Sequence, residues 1–405
     1  QYSLNEPSHQ AGEFGNTDHT IKLIISSLGL ISNMAPAFTV TPWKVEGDID
    51  YNKLVKDFGT ELLTDELLNR LKNHTGELHH LLRRKIFFSH RDLKWLLDMH
   101  DKGDNFYLYT GRAPSGHVTI GHMIPWALTK WLQDKFDCEL WFQMSDEEKF
   151  LFKDNLTLEE TKRLAYENAL DVIAMGFNPK KTKIFLNTEY AKTMYPQALR
   201  VAKHLNFTTA KAVFGFTGET NVGASFYTAM QAVPAFLPSV LAGRQMPCLI
   251  PLAIDQDPHF RVARDIIPKL GYPKPAILHC RFLPALSGGG KMSASNAVET
   301  IYTTDTPEEV ARKIKKYAFS GGRDTIEEHR KKGGDPDVDV PYQWLTFLEE
   351  DDTKLKAIHD DYRSGKMLSG EIKQILTDKL NSMLKKHQAE REKARKKVDK
   401  FFIRD

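Results

Sequence analysis

Three glycines spaced five apart, Gly111, Gly116 and Gly121, stand in the stretch TGRAPSGHVTIGHMIPW, Thr110 to Trp126. The run NFYLY before them has the character of a strand, and MIPWALTKWLQDKF after them that of a helix. A helix opening after a glycine-rich turn presents free N–H groups and the positive end of its dipole, so this stretch could hold an anion such as a phosphate. The spacing is neither GxGxxG nor GxxxxGK(S/T), and plain turn chemistry is an equal reading of the stretch by itself. Far downstream, SGGGKMSASN, Ser287 to Asn296, sets Lys291 beside consecutive glycines. That is either a mobile point charge on a flexible loop or a solvated lysine in a linker.

Such residues need a scaffold that brings strand ends and helix starts together. Between about 103 and 300, FYLYT, ELWFQM, TKIFL, CLIPLAI and AILHC read as short apolar strands with helical stretches between them. One of these, TLEETKRLAYENALDVIAMG, has a Thr157 cap, Glu160 three residues later and a stop at Gly176. The rhythm predicts an α/β fold built on a Rossmann-like, doubly wound parallel sheet. Upstream, Val40, Pro42 and Val45 with a turn-prone EGD suggest a short hairpin, and helical periods follow in LVKDFG and LLTDELLNRLKN. Beyond 301 the strand signals stop. TPEEVARKIKKYAF, PYQWLTFLEEDD, DTKLKAIHDDYRSG and the basic tail from Met383 to Phe401 read as helices, so an all-α domain follows the sheet. The expected divisions are a loosely ordered extension at 1–39, a hairpin and helices at 40–102, the sheet domain at 103–300 and the helical domain at 301–405.

A chain of 405 residues suits roughly two to three domains, and 41% hydrophobic content is enough to build cores. A net charge of +3 is too small to mark a nucleic-acid binder, so any such role rests on local patches. Cys138, Cys248 and Cys280 are odd in number, far apart and outside any CxxC, which points to reduced thiols in a cytosol-like compartment and to no zinc site. The run TIKLIISSLGLISNM is broken by Ser26, Ser27 and Gly29 and is too short to span a bilayer, so a small buried helix or strand is expected there. Position 1 is Gln1 rather than methionine, which leaves the true start and any targeting segment open.

Taken together, TIGH at Thr119 to His122 and KMSAS at Lys291 to Ser295 resemble the two signatures of class I aminoacyl-tRNA synthetases, HIGH and KMSKS, in the right order within an α/β domain. The strings FYLYTGRAPSG, TKWLQDKF, QMSDEEKFLFKD, AIDQDPHFRVARD, GYPKPAILH, AFSGGRDTIEEHR and GGDPDVDV look like the eukaryotic cytosolic tryptophanyl-tRNA synthetases. The likeness runs from about Val40 to the C-terminus. Thr119 departs from the signature histidine and can donate only a neutral hydrogen bond, which would leave the α-phosphate to backbone and Arg112. Ala294 replaces the second loop lysine, as in the tryptophan subgroup.

The resemblance implies ATP as its Mg²⁺ complex, L-tryptophan and tRNA(Trp) as partners, a homodimer, a cytoplasmic location, no structural metal and no membrane. It implies catalytic roles for Thr119, His122 and Lys291, with His122 and Lys291 stabilising charge on the leaving pyrophosphate. It puts Arg112, Ala113, Gly121, Asp255, Met292 and Ser293 with them around ATP. Tyr109, Gln143, Glu148, Gln231 and Gln256 would surround tryptophan, and Arg323 and Asp324 would read the anticodon from an all-α anticodon-binding domain. An indole N–H donates and cannot accept, so its site needs a fixed acceptor. Structural readings compete at several positions: Ser145 and Glu148 fit a capping box, Tyr109 a core strand residue, the Arg323 loop a solvated turn, and the basic tail an exposed helix face rather than a phosphate track. Rival functions are a tyrosyl-tRNA synthetase, another nucleotidylyltransferase, which the helical domain speaks against, and a catalytically silent RNA-binding relative.

Overall fold

A computed structural model describes residues 38–40, 45–47, 49–292 and 296–405. Residues 1–37 of the expected extension, with the run TIKLIISSLGLISNM, and Pro42 and Ser293 lie outside them, while residues 38 and 39 of the expected extension are described. The hairpin is present as β1, Phe38–Val40, paired antiparallel with β2, Val45–Gly47.

The second sheet has seven strands: β3, Glu61–Leu62; β4, Phe87–Arg91; β5, Tyr107–Arg112; β6, Leu140–Met144; β7, Thr182–Leu186; β8, Cys248–Ala253; and β9, Ala276–Cys280. Their spatial order is β3-β4-β9-β8-β5-β6-β7, with β5 to β9 mutually parallel. Strand order reverses at β5 and β8, and the crevice beyond their carboxyl ends is where open α/β sheets bind ligands. Each run expected as a strand is one of these five, buried on both faces as parallel strands are.

The sheet is not wholly parallel, because β3 and β4 add an antiparallel edge against β9. The β4 text FFSHR shows no alternation, since Ser89 and Arg91 find protein partners instead of water, and buried His90 accepts from Leu93 N at Nδ1 while its Nε2 has no partner among the described residues. Ser89 Oγ lies 3.0 Å from His279 Nδ1, His279 Nε2 donates to Asp257 Oδ1 at 2.9 Å, and Arg91 clamps Asp257 at 2.7 and 2.8 Å.

Period-two parity sorts the side chains. Leu108, Leu140, Phe142 and Ile184 pack on one face of the sheet, while Tyr109, Trp141 and Phe185 pack on the other. Helix Leu158–Ala174 begins at Thr157 with the expected reciprocal bonds to Glu160.

The C-terminal region is helical through Pro307–Tyr317, Ile326–Lys332, Val340–Leu348, Asp352–Arg363 and Ser369–Arg395. The basic tail is not simply an exposed face. His387 and Arg391 pair with buried Asp171, and Arg391 and Arg395 with Glu167, so the long helix docks on Leu158–Ala174. After it, Phe401 O accepts from Ile184 N at 2.8 Å and Ile403 N donates to Ile184 O at 2.9 Å, covering the β7 edge.

Candidate active site

Of the three opening glycines, Gly111 and Gly121 are kept small by different neighbours. Gly111 pairs with Gln143 across β5 and β6, and a Cβ there would sit 2.9 Å from the Gln143 carbonyl oxygen. A Cβ on Gly121 would meet Met292 Cε at 3.2 Å, so the first turn of helix Ile120–Phe136 packs directly under the lysine loop. Gly116 meets nothing within 4 Å. The turn between them therefore stays open, between Arg112 on one side and the helix N-terminus on the other.

At this turn Arg112, His122 and Thr119 form a chain. Arg112 Nη1 lies 2.7 Å from His122 Nε2. On the other side of the ring the Thr119 backbone N–H donates to Nδ1 at 3.1 Å, and Thr119 Oγ1 lies 2.8 Å from the same nitrogen. Burial first, then the charges of Arg112 and Lys291, push the His122 imidazole well below its ordinary range. His122 is therefore neutral at ordinary pH and can act there only as a hydrogen-bonding dipole. Arg112, lowered by burial to about 10, is still cationic at neutral pH. Its Nε donates to Asn168 Oδ1 at 3.1 Å, a partner on a neighbouring helix that no local sequence pattern marks.

Lys291 Nζ is 2.5 Å from Asp255 Oδ2 and sits 5.2 Å from the centre of the Phe282 ring. Asp255 follows β8, and Gln256 precedes helix Asp257–Ile266, so both stand at the crevice. Gly288, Gly289 and Gly290 all have positive φ, 85°, 70° and 50°, a consecutive left-handed path that favours glycine. Met292 is buried, its N donating to Leu283 O at 2.9 Å. Ala113 follows Arg112 at the open turn.

On the opposite face of the sheet, Tyr109 OH donates to Gln143 Oε1 at 2.6 Å, and Gln231 Nε2 donates to Tyr109 OH at 3.2 Å. Tyr227 OH, 2.6 Å from Gln231 Oε1, is also 2.7 Å from Glu148 Oε2. The capping-box reading of Ser145 fails, because its hydroxyl donates to the Glu148 carboxylate at 3.1 Å and caps no backbone group. Burial pushes Glu148 up, but Lys149 at 2.6 Å and Tyr227 outweigh it and hold the carboxyl below its ordinary value. Four residues expected around tryptophan thus share one buried network, and Gln256 lies apart from it on the β8 side. The network also contains Tyr227, Asn187 and Glu147, which the sequence did not single out. Their nearness to Gln143 arises from three different elements.

Arg323 and Asp324 are exposed in the turn before helix Ile326–Lys332, far along the chain from this site. Arg323 Nε donates to Gly333 O at 3.0 Å, clamping that helix's end.

The family model for class I tRNA synthetases (W and Y) matches residues 101–385. The chain is similar to the tryptophan–tRNA ligase of Saccharolobus solfataricus, 52% identical over 370 residues that cover 91% of this chain and 96% of that one. Among solved structures it is similar to the tryptophanyl-tRNA synthetase of Plasmodium falciparum, 44% identical with a TM-score of 0.83, over 88% of this chain and 98% of that chain. It is likewise similar to a tryptophanyl-tRNA synthetase from Encephalitozoon cuniculi bound to tryptophan, 38% identical with a TM-score of 0.82, over 88% and 98% of the two chains.

Proposed function

The chain belongs to the class I tRNA synthetases of the tryptophan and tyrosine family, and from that membership and the geometry of its site we propose how it works as a tryptophan–tRNA ligase. It activates L-tryptophan with ATP and transfers it to tRNA(Trp). In the first step a tryptophan carboxylate oxygen attacks the α-phosphorus, and pyrophosphate leaves. In the second a hydroxyl of the terminal tRNA ribose attacks the adenylate carbonyl, and AMP leaves.

The observation that carries the residue assignment is the division of the crevice into two chemistries. One side holds Arg112, neutral His122, Thr119 and Lys291 at an open strand-to-helix turn. The MgATP phosphates belong there, beside Ala113 and Gly121, with Ser293 and Met292 in the loop and Asp255 towards the ribose. Arg112 and Lys291 supply charge, while His122 supplies an oriented dipole held by Thr119. In-line displacement needs little more from protein than positioning and charge stabilisation. On the other side, Gln143 and Tyr109 offer oxygen lone pairs to the indole N–H, and Glu148, with Gln231 and Tyr227, takes the ammonium. Gln256, at the β8 end, faces the substrate carboxylate. A carbonyl oxygen has two lone pairs, so Gln143 Oε1 can serve both the Tyr109 hydroxyl and the indole.

Amino-acid-dependent pyrophosphate exchange tests the assignment. Exchange should depend on tryptophan and be negligible with tyrosine; tyrosine-dependent exchange would make it a tyrosyl enzyme, and none with either would make it a silent relative.

The finer readings are proposals of the same kind. The four divisions at 1–39, 40–102, 103–300 and 301–405 are kept, with Arg323 and Asp324 in an anticodon-binding helical domain. No described helix is long and apolar enough to cross a membrane, and a cytoplasmic location is proposed. The eukaryotic cytosolic branch is proposed from the shared strings alone, since archaeal and eukaryotic relatives both match along the chain. For the homodimer, the proposed surface is the apolar face of Phe207 and Val222, 52% and 84% exposed at a cavity of about 250 Å³, with Tyr195 and Leu199 exposed on helix Ala191–Ala202. Sedimentation should give a dimer for the wild type and a monomer for Val222→Asp; a monomeric wild type overturns it.

A further inference from the structure

An amide side chain is ambiguous as a recognition element, because turning it over exchanges its donor and acceptor ends. Gln143 can recognise a donor-only indole if its oxygen is held towards the site. Tyr109 cannot hold it so, since a hydroxyl both donates and accepts. We propose that Asn187 and Glu147 are positioning residues that fix the Gln143 amide with its oxygen towards the indole, and so set selectivity for a ring that only donates. This deepens the tryptophan-site reading above and rests on it.

The chain of contacts is continuous. Gln143 Nε2 donates to Asn187 Oδ1 at 3.0 Å, and Asn187 Nδ2 donates to Glu147 Oε1 at 2.6 Å. Asn187 alone would leave the ambiguity in place, because it is an amide too. A carboxylate at the end of the chain removes it: ionised Glu147 only accepts, so Asn187 must present its NH₂ to Glu147 and its oxygen to Gln143, and Gln143 its oxygen to the site. Asn187 and Gln143 are each 1% exposed, so water does not compete for these bonds. Asn187 is also fixed from behind. Its N donates to Met144 O at 3.1 Å, and Thr188 ties to Asp146 through both N and Oγ1.

Protonation of Glu147 would undo the order, because a carboxylic acid can donate to Asn187. Glu147 faces Asp146 and Glu148 from its own helix, Asn187 from the end of β7, and, further off, Tyr109 of β5 and Tyr227 of helix Val222–Ala232. Its Oε2 is sealed from solvent without a hydrogen-bond partner among the described residues. Burial, then Asp146, push the carboxyl up to about 8. Selectivity should therefore strengthen as pH rises through that value.

The test compares tryptophan with an isosteric analogue carrying sulfur in place of the ring N–H, as the ratio of kcat/KM values in pyrophosphate exchange from pH 6.5 to 9. In the wild type the ratio should rise with pH, to about tenfold or more in favour of tryptophan once Glu147 is ionised. Glu147→Leu and Asn187→Ala should bring it towards one and flatten its pH profile. Glu147→Gln, which keeps an acceptor, should retain more of the ratio than Glu147→Leu, without the rise. A pH-independent wild-type ratio, or a wild-type ratio in Glu147→Leu, overturns the proposal. Gln143→Leu separates the two readings: if it leaves the ratio unchanged, the indole site is wrongly placed; if it abolishes the ratio while Glu147→Leu does not, only the positioning chain is wrong. Should Asn187→Ala fail to fold, the two Glu147 variants decide, since that residue is only half-buried.

Discussion

Lys291 is not idle before substrate binds. Its ammonium is paired with Asp255, whose Oδ1 is buried and has no hydrogen-bond partner among the described residues. To act on pyrophosphate it must leave that carboxylate, and the left-handed glycine path before it allows the movement. Removing one positioned charge from a phosphate site slows the step by about a hundred- to a thousandfold. Lys291→Ala should show that loss in exchange while tryptophan binding, followed by calorimetry, stays near normal; exchange within a few-fold of wild type would deny the lysine its role. Asp257 is the opposite case, a charge committed to structure. Burial raises its carboxyl, but hydrogen bonds from Arg91 and His279 outweigh that and hold it well below the ordinary range. A lowered folded pKa gives stability that is complete above about pH 4, the unfolded value, and is lost as pH falls through the folded one. Removing one partner of a buried pair typically costs about 3–5 kcal/mol. Asp257→Asn should lose about that much at pH 7 by denaturant unfolding, and less at pH 3.

Among the elements, the C-terminal segment after helix Ser369–Arg395 has the most specific task. Phe401 and Phe402 are 3% and 9% exposed, and Phe402 stacks on Tyr166 at 4.9 Å. Arg404 and Asp405 then bind Glu189 and Thr193, close to the Asn187 loop. Burying a large apolar side chain contributes about 1.5–3 kcal/mol, so deleting 401–405 should destabilise the protein by roughly 3–6 kcal/mol. Denaturant midpoints measure it. An unchanged midpoint would mean that the segment rests on β7 without holding it. The deletion also bares the β7 edge, and faster aggregation in light scattering is expected.

At the scale of the whole molecule, the lysine loop and the helical region are fastened together. Phe319 N donates to Leu286 O at 2.7 Å, and Trp344 Nε1 to Pro284 O at 3.0 Å, on the strand-to-loop segment leading to Lys291. Arg323 and Asp324 lie a few residues beyond Phe319 on the outer turn. If they contact the anticodon, replacing both with alanine should raise the apparent KM for tRNA and leave tRNA-independent exchange alone, with each base contact contributing about 1–3 kcal/mol. The Arg323 bond to Gly333 is a confounder, and a thermal melt accompanies the kinetics. Unchanged aminoacylation would remove both residues from the RNA interface. A joint fall of exchange and melting temperature would make the clamp their whole role.

Strand and helix identities were legible because burial on both faces leaves apolar runs such as CLIPLAI, and because caps such as Thr157 with Glu160 are local. The resemblance of TIGH and KMSAS to the synthetase signatures likewise needed only order along the chain. What no stretch could show is anything settled by juxtaposition. FFSHR hid a strand because Arg91 and Ser89 are bound by residues 166 and 190 positions away. Ser145 looked like a cap until Glu148 proved to be engaged from Tyr227, and the neutral state of His122 is set by burial and by the charges of Arg112 and Lys291. The acceptor-only end of the Gln143 chain is built from β6, the end of β7 and the helix after β6. Composition and periodicity report what a residue's own neighbourhood demands. Hydrogen-bond polarity and proton affinity depend on which atoms from distant elements close around a side chain, and only the folded chain decides that.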